Sequence, residues 1–301
     1  MQTEPVAPTL VQPTDGLPRR AIRRGYWPAA RRRLSRDPIA VGCGCILLII
    51  VAAAVFAPWI APADPYKTSI ARRLLPIGSP GYPLGTDELG RDMLSRLIYG
   101  GRVSLLLGIL PVVIATLTGG TLGIVAGFAG RHVNMAIMRV VDVFFAFPSV
   151  LLAVAVAGVL GAGPVNCLVA LSLVLTPSIT RIAESATTQI RNLGFVEAAR
   201  ATGASTPSIL FGHVLSNVIG PILTYASSQV SVAIVLASGL SFLGLGVAPP
   251  TADWGLMLNT LRQSLYVAPV NAVLPGFMIL ITSVCFNLLS DGLRTALDVK
   301  P

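Results

Sequence analysis

Five long apolar stretches without any Asp, Glu, Lys or Arg constrain this 301-residue chain more than any other feature. Each reaches the roughly 20 residues that an α-helix needs to cross about 30 Å of hydrocarbon. Charged residues make up only 12% of the chain, against about 25% in soluble domains. The sequence therefore predicts an all-α membrane protein that crosses a bilayer several times. The stretches are residues 38–63, 103–130, 143–180, 201–252 and 263–290.

These stretches divide into about six predicted spans. Residues 143–180 are too long for one crossing, and the Gly-Ala-Gly-Pro run at 161–164 breaks them into a helical hairpin. The expected organisation is a basic tail at 1–38, a first transmembrane helix at 39–60, a polar loop at 61–102, a transmembrane core at 103–290 and a tail at 291–301. The core includes a polar loop at 183–207, between the fourth and fifth spans. The spans are expected at about 39–60, 103–128, 136–160, 165–182, 210–236 and 272–289.

The placement of arginine predicts which side each loop faces. Eight arginines precede the first apolar run, at positions 19, 20, 23, 24, 31, 32, 33 and 36. With the N-terminus inside, the cytoplasmic segments hold fifteen Lys and Arg residues and the external segments hold seven. Cytoplasmic loops carry an excess of Lys and Arg, so both termini are expected in the cytoplasm. The arginine cluster also suits contact with anionic membrane lipid, and without an aromatic–basic platform it does not indicate nucleic-acid binding.

The residues that catalysis or metal binding would need are missing from the predicted spans. Neither lysine, Lys67 or Lys300, follows a glycine-rich P-loop, so the chain is not expected to bind or hydrolyse ATP itself. The histidines His132 and His213 flank spans, and the four cysteines fall in apolar runs without the spacing of zinc ligands. We therefore expect no enzyme activity, no cofactor and no metal.

Ion-coupled carriers commonly keep charged residues deep in the membrane. The cores of the predicted spans hold none, and Asp142 lies one turn beyond Arg139, where a helix-end ion pair is expected. Sodium coupling through hydroxyl and carbonyl oxygens stays open. A self-sufficient secondary carrier or channel for a small polar solute is therefore retained as the alternative function.

The charged segment at 181–207 is too polar for the bilayer and long enough to fold by itself. Its sequence predicts two short helical pieces, at 189–191 and 195–200. Ala198 and Ala199 keep one surface of the second piece small, which suits the groove of another protein, and Gly203 is placed to end the helix. The residues alone leave a docking element and a solvated connector equally open.

Glu197-Ala198-Ala199-Arg200, followed by Gly203, resembles the EAA loop of permease subunits of ATP-binding-cassette (ABC) importers. Three further motifs narrow the resemblance to the "C" permease of dipeptide, oligopeptide and nickel importers. One departure is Ser216, where that family commonly has proline; the fifth span is therefore expected to start with less of a kink. The further motifs are Gly85-Thr86-Asp87-Glu88-Leu89-Gly90-Arg91-Asp92, the run at 240–246 with Asp253-Trp254-Gly255, and the tail at 287–298.

The resemblance implies a permease of a bacterial inner membrane that forms half of a translocation pathway beside a second permease. It also implies two cytoplasmic ATPase subunits, or one fused ATPase, that bind the ATP, and an extracytoplasmic substrate-binding protein that delivers di- or oligopeptides. The binding protein would dock on residues 64–99 and 247–262. No residue is assigned to the substrate path, and nickel stays open as cargo. ATPase coupling would rest on Glu197, Ala198, Ala199, Arg200 and Gly203, and the external motif would be Gly85, Thr86, Asp87, Gly90, Arg91 and Asp92.

Overall fold

The computed structural model describes residues 32–297, and the regular secondary structure in that range is helical. Two isolated β-bridges, Ser79–Tyr82 and Thr86–Asp92, add to it. Short 3-10 helices occupy Ile70–Arg72 and Arg262–Ser264, and a π-helical turn occupies Leu210–Val214. The α-helices are α1 (Pro38–Val55), α2 (Ala57–Ile60), α3 (Met93–Phe128), α4 (Arg131–Phe145), α5 (Ser149–Leu160), α6 (Pro164–Arg191), α7 (Gly194–Ala201), α8 (Thr206–Ile209), α9 (Leu215–Phe242), α10 (Trp254–Leu261) and α11 (Pro269–Leu297).

Five helical segments are long and apolar enough to cross a membrane: α1, α3, α6, the continuous segment Thr206–Phe242, and α11. The α4–α5 pair makes a sixth when it is counted as one span. The prediction of an all-α membrane protein with about six spans is therefore confirmed. The N-terminal residues up to 31, with five of the eight clustered arginines, and residues 298–301 lie outside the described residues.

The third span differs most from its prediction, a single helix at about 136–160. It consists of α4 and α5, which are bent by 91° relative to each other. Pro148 stands directly before α5, and proline disfavours the helical conformation in the residue that precedes it. The 12 residues of α5 reach only about 18 Å, less than the hydrocarbon thickness. The α4–α5 pair is therefore a bent segment and not a straight helix.

Four helices extend beyond their predicted ends, and one of them, α9, runs to Phe242 instead of about 236. α3 begins at Met93, so the end of the predicted 61–102 loop is helical. α6 runs to Arg191, so the first predicted piece of the 183–207 loop belongs to the span itself. α11 runs to Leu297, into the predicted 291–301 tail. Hydrophobic length decides where a helix leaves the hydrocarbon, whereas its hydrogen-bonded turns continue until a cap or a break ends them.

α3 and α6 form the largest helix–helix contact of the bundle. Gly119, Gly123 and Gly127 follow one another at four-residue spacing on the α3 face that meets α6. A Cβ at Gly119 would lie 2.6 Å from the Thr176 carbonyl oxygen, and one at Gly127 would lie 2.6 Å from Cβ of Thr187. Small residues at this spacing let membrane helices approach closely. α9 completes the core with these two helices through Val112, Ala115, Ile179, Val218, Ile222 and Ile234.

Candidate functional site

The two groups of predicted site residues lie at opposite ends of α3. Residues 85–92, which we call the GTD segment, lead directly into the first residue of α3. α7 packs beside the last residue, Phe128, whose ring centre lies 5.4 Å from the guanidinium carbon of Arg200. A straight helix of 36 residues is about 54 Å long. The two groups therefore belong to separate sites.

Asp87 is the centre of a buried charge network in the GTD segment. Its carboxylate lies 2.6 Å from Nε of Arg91 and 3.2 Å from Nε of Arg96. It also accepts hydrogen bonds from the backbone N–H groups of Leu89 and Arg91, both at 2.9 Å. Glu88 adds a second carboxylate, 2.9 Å from Nη2 of Arg91. Since a buried charge is tolerated only when it is paired and hydrogen-bonded, the two arginines depend on Asp87.

Contacts with distant parts of the chain fix the backbone of the GTD segment. Gly90 has a φ of +73°, and a Cβ at this position would overlap the carbonyl oxygen of Ser69. The buried hydroxyl of Thr86 accepts a hydrogen bond from the N–H of Leu75 at 2.9 Å. Asn271 of α11 donates a side-chain hydrogen bond to the Thr86 carbonyl oxygen at 2.9 Å. The segment is therefore held against both the preceding loop and α11.

Asp92 connects the GTD segment to α3 by capping the helix. Its carboxylate accepts hydrogen bonds from the N–H of Ser95 at 2.8 Å and from the Ser95 hydroxyl at 2.6 Å. The same hydroxyl accepts a hydrogen bond from the N–H of Ala63 at 3.1 Å. An aspartate at this position satisfies donors that a helix start leaves unpaired. The cap explains why α3 begins ten residues before its apolar stretch.

A second cap ties α10 to α3 at the same end. Asp253 accepts hydrogen bonds from the N–H of Leu256 at 3.0 Å and from the Ser104 hydroxyl at 2.7 Å. Trp254 is 1% exposed, and its indole N–H donates to the Leu97 carbonyl oxygen at 2.9 Å. The Asp-Trp-Gly motif thus holds the α10 start against the first turns of α3.

Most side chains of the GTD segment are buried, so the segment stabilises this end of the protein and contributes little of its surface. The most exposed apolar side chains at this end include Trp59, Ile70 and Tyr266, at 77%, 83% and 96%. Trp59 and Tyr266 fall outside the residues 64–99 and 247–262 that we expected to form a docking face. The buried motif side chains are Thr86 (0%), Asp87 (1%), Arg91 (4%) and Asp92 (2%).

At the other end, α7 turns one face toward the bundle and the opposite face outward. Val196 is fully buried, and Ala199 is half-buried against the same core. The prediction that Ala198 and Ala199 share a small outward surface therefore holds for Ala198 only. Ala199 lies on the side of Val196, because residues three apart are neighbours on a helix. The exposed residues of α7 are Gly194, Phe195, Glu197, Ala198, Arg200 and Ala201.

α7 ends in a Schellman motif. Gly203 has a φ of +80°, and its N–H donates to the carbonyl oxygen of Arg200 at 3.0 Å. The N–H of Ala204 donates to the carbonyl oxygen of Ala199 at 3.1 Å. These two bonds satisfy carbonyl groups that a helix end leaves free, and the positive φ suits glycine. The prediction that Gly203 ends the helix is confirmed.

Basic side chains fasten this end to α3. Nη1 of Arg191 donates to the Gly127 carbonyl oxygen at 2.9 Å, and Arg200 stacks on Phe128. Glu197 behaves differently. In residues 32–297, no hydrogen bond or ion pair engages its carboxylate. Of the charged side chains on α7, Arg200 therefore contacts α3 of the bundle. The Glu197 carboxylate makes no such contact in residues 32–297 and can interact with another molecule.

Asp142 pairs with a residue other than the predicted one. We expected Arg139, but Oδ1 of Asp142 lies 2.6 Å from Nη2 of Arg181 in α6. The guanidinium carbon of Arg181 also lies 4.2 Å from the ring centre of Phe145. Arg181 therefore gains a cation–π contact together with the ion pair, a combination that follows from the packing of α4 on α6.

In the fifth span, α8 is followed by the π-helical turn, which leads into α9. The Ser216 hydroxyl donates to the Gly212 carbonyl oxygen at 3.1 Å, within this turn. His213 lies beside α7, with its ring centre 6.3 Å from that of Phe195. The straighter start that Ser216 predicts, relative to a proline, stays a prediction.

Comparison with known proteins bears on the whole chain. A family model described as "Binding-protein-dependent transport system inner membrane component" matches residues 119–300. A second, described as "N-terminal TM domain of oligopeptide transport permease C", matches residues 25–76. The glutathione transport system permease protein GsiD of Pectobacterium atrosepticum is 39% identical over 92% of each chain. The di/tripeptide transport system permease protein DppC of Pseudomonas aeruginosa is 43% identical over 87% of this chain and 88% of its own.

A further relative is the dipeptide transport system permease protein DppC of Alkalihalophilus pseudofirmus, 37% identical over 91% of this chain and 90% of its own. Among solved structures, the inward-facing MetNI methionine ABC transporter has a TM-score of 0.56 at 18% identity, over 68% of this chain and 97% of that chain. That likeness concerns the fold. The chain belongs to the family of binding-protein-dependent transport system inner membrane components, as a multi-pass permease subunit and not an enzyme.

Proposed function

We propose that this permease is one half of the translocation pathway of an ABC importer for short peptides, beside a second, related permease. The named cargoes of its relatives, which are glutathione, di/tripeptides and dipeptides, support this class. The observation that carries the proposal is the outward face of α7. It presents Ala198 and Ala201 beside the Glu197 carboxylate, which has no partner in residues 32–297, while Val196 on the opposite side is buried in the bundle.

In this proposal, α7 is the coupling helix and inserts its outward face into a groove of a cytoplasmic ATPase. Ala198 and Ala201 permit a close approach, and Glu197 supplies a charge for recognition. Ala199 packs against the core, Arg200 stacks on Phe128 and Gly203 ends the helix, so these three residues set its position and its end. ATP is bound by the partners, which are two ATPase subunits or one fused ATPase.

The orientation follows from the same proposal. α7 and both termini lie in the cytoplasm, in agreement with the excess of arginine on that side. The end that holds the GTD segment then faces outward from an inner membrane and receives the peptide-loaded binding protein. The exposed side chains of Trp59, Ile70 and Tyr266 suit such a contact, because aromatic residues are enriched at protein interfaces.

The test is to enlarge the outward face of α7 in the complete transporter. Ala198→Phe overpacks the proposed groove at a cost of about 1–3 kcal/mol, which corresponds to roughly tenfold weaker association. We expect less co-purifying ATPase and slower ATP-dependent uptake of a radiolabelled dipeptide mixture. Ala162→Phe is the matched control, because Ala162 is exposed in the turn at the other end of α6.

If the Ala198→Phe and Ala162→Phe variants recover equal amounts of ATPase, α7 is only a connector between two spans and not a docking element. Uptake that persists after loss of the P-loop lysine of the partner ATPase would instead favour the self-sufficient carrier.

A further inference from the structure

A groove between α9 and α11 differs in character from the other membrane-facing surface of these helices. Its volume is about 660 Å³, within the range of roughly 300–1,000 Å³ that small-molecule sites occupy. Ile182 of α6 and Leu297 contribute to its apolar wall. Its polar residues are Thr224, Tyr225, Ser228, Asn287, Ser290, Asp291 and Arg294.

The polar residues of the groove follow helical spacing on both sides. On α9 they lie at positions 224, 225 and 228, and on α11 at 287, 290, 291 and 294. Residues three and four apart share a helix face. The hydroxyl oxygens of Ser227 and Ser290 lie 2.8 Å apart and join the two helices beside the groove. The groove is therefore one polar surface built from two facing helix sides.

Several of these side chains have no partner within residues 32–297. The hydroxyl groups of Thr224 and Ser228 donate to carbonyl oxygens of α9 itself. By contrast, no hydrogen bond or ion pair engages the side chains of Tyr225, Asn287, Asp291 or Arg294 in that range. Opposite charges one turn apart thus face the groove without pairing to each other.

The groove reaches deep along helices that span the membrane. Ser228 lies at the midpoint of α9, and Asn287 lies four residues, or about 6 Å, beyond the midpoint of α11. Arg294 lies near the α11 end, about 16 Å from that midpoint, which is close to half of the hydrocarbon thickness. The polar surface therefore extends from the membrane interface to about the middle of the bundle.

Polar and charged side chains within a span face water, a cavity or another polypeptide, because exposure to hydrocarbon is costly. Farther along the same side of α11, the exposed residues are apolar: Val273, Phe277, Leu280 and Val284. α9 changes in the same way, with Val232 and Val235 exposed beyond Ser228. The polar half adjoins the end that holds α7, so water can enter the groove from that end only.

We infer that this groove is a water-filled exit passage for the transported peptide, with Asp291 and Arg294 as a weak subsite for its charged termini. The inference rests on the proposed function. The Asp291 carboxylate suits a free ammonium group, and the Arg294 guanidinium suits a carboxylate. An extended dipeptide spans about 7 Å, similar to the 5–6 Å between Cβ atoms one helical turn apart. An anionic lipid headgroup fits less well, because Asp291 repels it.

The first test asks whether water reaches the groove in the assembled transporter in proteoliposomes. Single cysteines replace Ser228 and Asn287 in a background without the four native cysteines. Leu223→Cys and Leu288→Cys are the matched controls, since both leucines are exposed on the same helices and neither lines the groove. A sulfonate-bearing methanethiosulfonate should label positions 228 and 287 at least tenfold faster than positions 223 and 288. Equal rates, or cross-linking of position 287 to the second permease, would overturn the inference.

The second test asks whether the two charges face that water. With Asn287→Cys as reporter, the labelling rate of the anionic reagent is divided by that of a trimethylammonium reagent. Arg294→Gln should lower this ratio about threefold or more, and Asp291→Asn should raise it. An unchanged ratio in both variants would contradict the subsite, and a fold defect alone would slow or speed both reagents together.

The third test is uptake of the radiolabelled dipeptide mixture by assembled complexes. Arg294→Gln and Asp291→Asn should each slow uptake several-fold, and unchanged uptake in both would remove the subsite. Failure of the proposed function is distinguishable, because the unmodified complex would then show no ATP-dependent uptake at all.

Discussion

The two ends of the bundle use charged residues in opposite ways. At the GTD end, the buried carboxylate of Asp87 pairs with two buried guanidinium groups, those of Arg91 and Arg96. At the α7 end, the Glu197 carboxylate is exposed and has no partner in the described part of the chain. A motif of charged residues can therefore be either a support or a contact surface. Burial and pairing distinguish the two, whereas residue type does not.

The largest effect should come from breaking the buried network. Asp87→Ala leaves two buried guanidinium groups without their shared carboxylate, and removal of one partner of a buried pair costs about 3–5 kcal/mol. Glu197→Ala should change stability by no more than about 0.5 kcal/mol, because it removes no contact within the chain. Reversible unfolding of the purified chain in detergent micelles measures both values. A similar loss for the two variants would break the comparison between the ends.

A smaller loss of stability is expected when either of two glycines with positive φ is replaced by alanine, and the two losses should differ. Gly90→Ala combines left-handed backbone strain with overlap on the Ser69 carbonyl oxygen, and we expect a loss of about 2–4 kcal/mol. Gly203→Ala carries the strain alone, about 1–2 kcal/mol, since no atom lies within 4 Å of its added Cβ. The same unfolding measurement applies. A Gly203→Ala loss that equals that of Gly90→Ala would show that α7 is packed as tightly as the GTD segment.

The smallest effect is expected from the pair between α4 and α6. Asp142 and Arg181 are about half exposed, at 49% and 47%. Ion pairs of this kind contribute about 0–1 kcal/mol, so Asp142→Asn should lower the free energy of unfolding by no more than that. Raising the salt concentration should shrink the difference further, because exposed charges are screened. A loss comparable to that of Asp87→Ala would mean that a partner subunit buries this pair.

Most of the structure that could be predicted from the sequence was predicted from apolar runs and from residues typical of turns. The number of spans could be predicted because hydrophobic length alone decides which segments enter the bilayer. The end of α7 at Gly203 could be predicted because the left-handed conformation at a helix end favours glycine. The four-residue spacing of Gly119, Gly123 and Gly127 also indicates a close helix–helix contact from the sequence alone.

Other features depend on contacts that a linear sequence does not reveal. Nothing near Thr86 indicates that Asn271, on α11, holds its carbonyl oxygen. The burial of Arg96 was missed because charged residues in a loop are ordinarily exposed. The 91° bend between α4 and α5 is different, because Pro148 indicates it in the sequence, although the apolar stretch that continues through it favoured a single helix. The side of α7 that holds Ala199 was misjudged, because its burial depends on the core of other helices.

The glycine contact between α3 and α6 has a mechanical consequence. Because backbone lies against backbone at Gly119 and Gly123, neither helix can slide along the other without collision. The pair is also pinned at one end by the Arg191 hydrogen bond to Gly127. A push on α7 therefore cannot be absorbed as slippage between these helices. It is passed along α3, which contains Pro111 and is at most about 54 Å long, toward the GTD end.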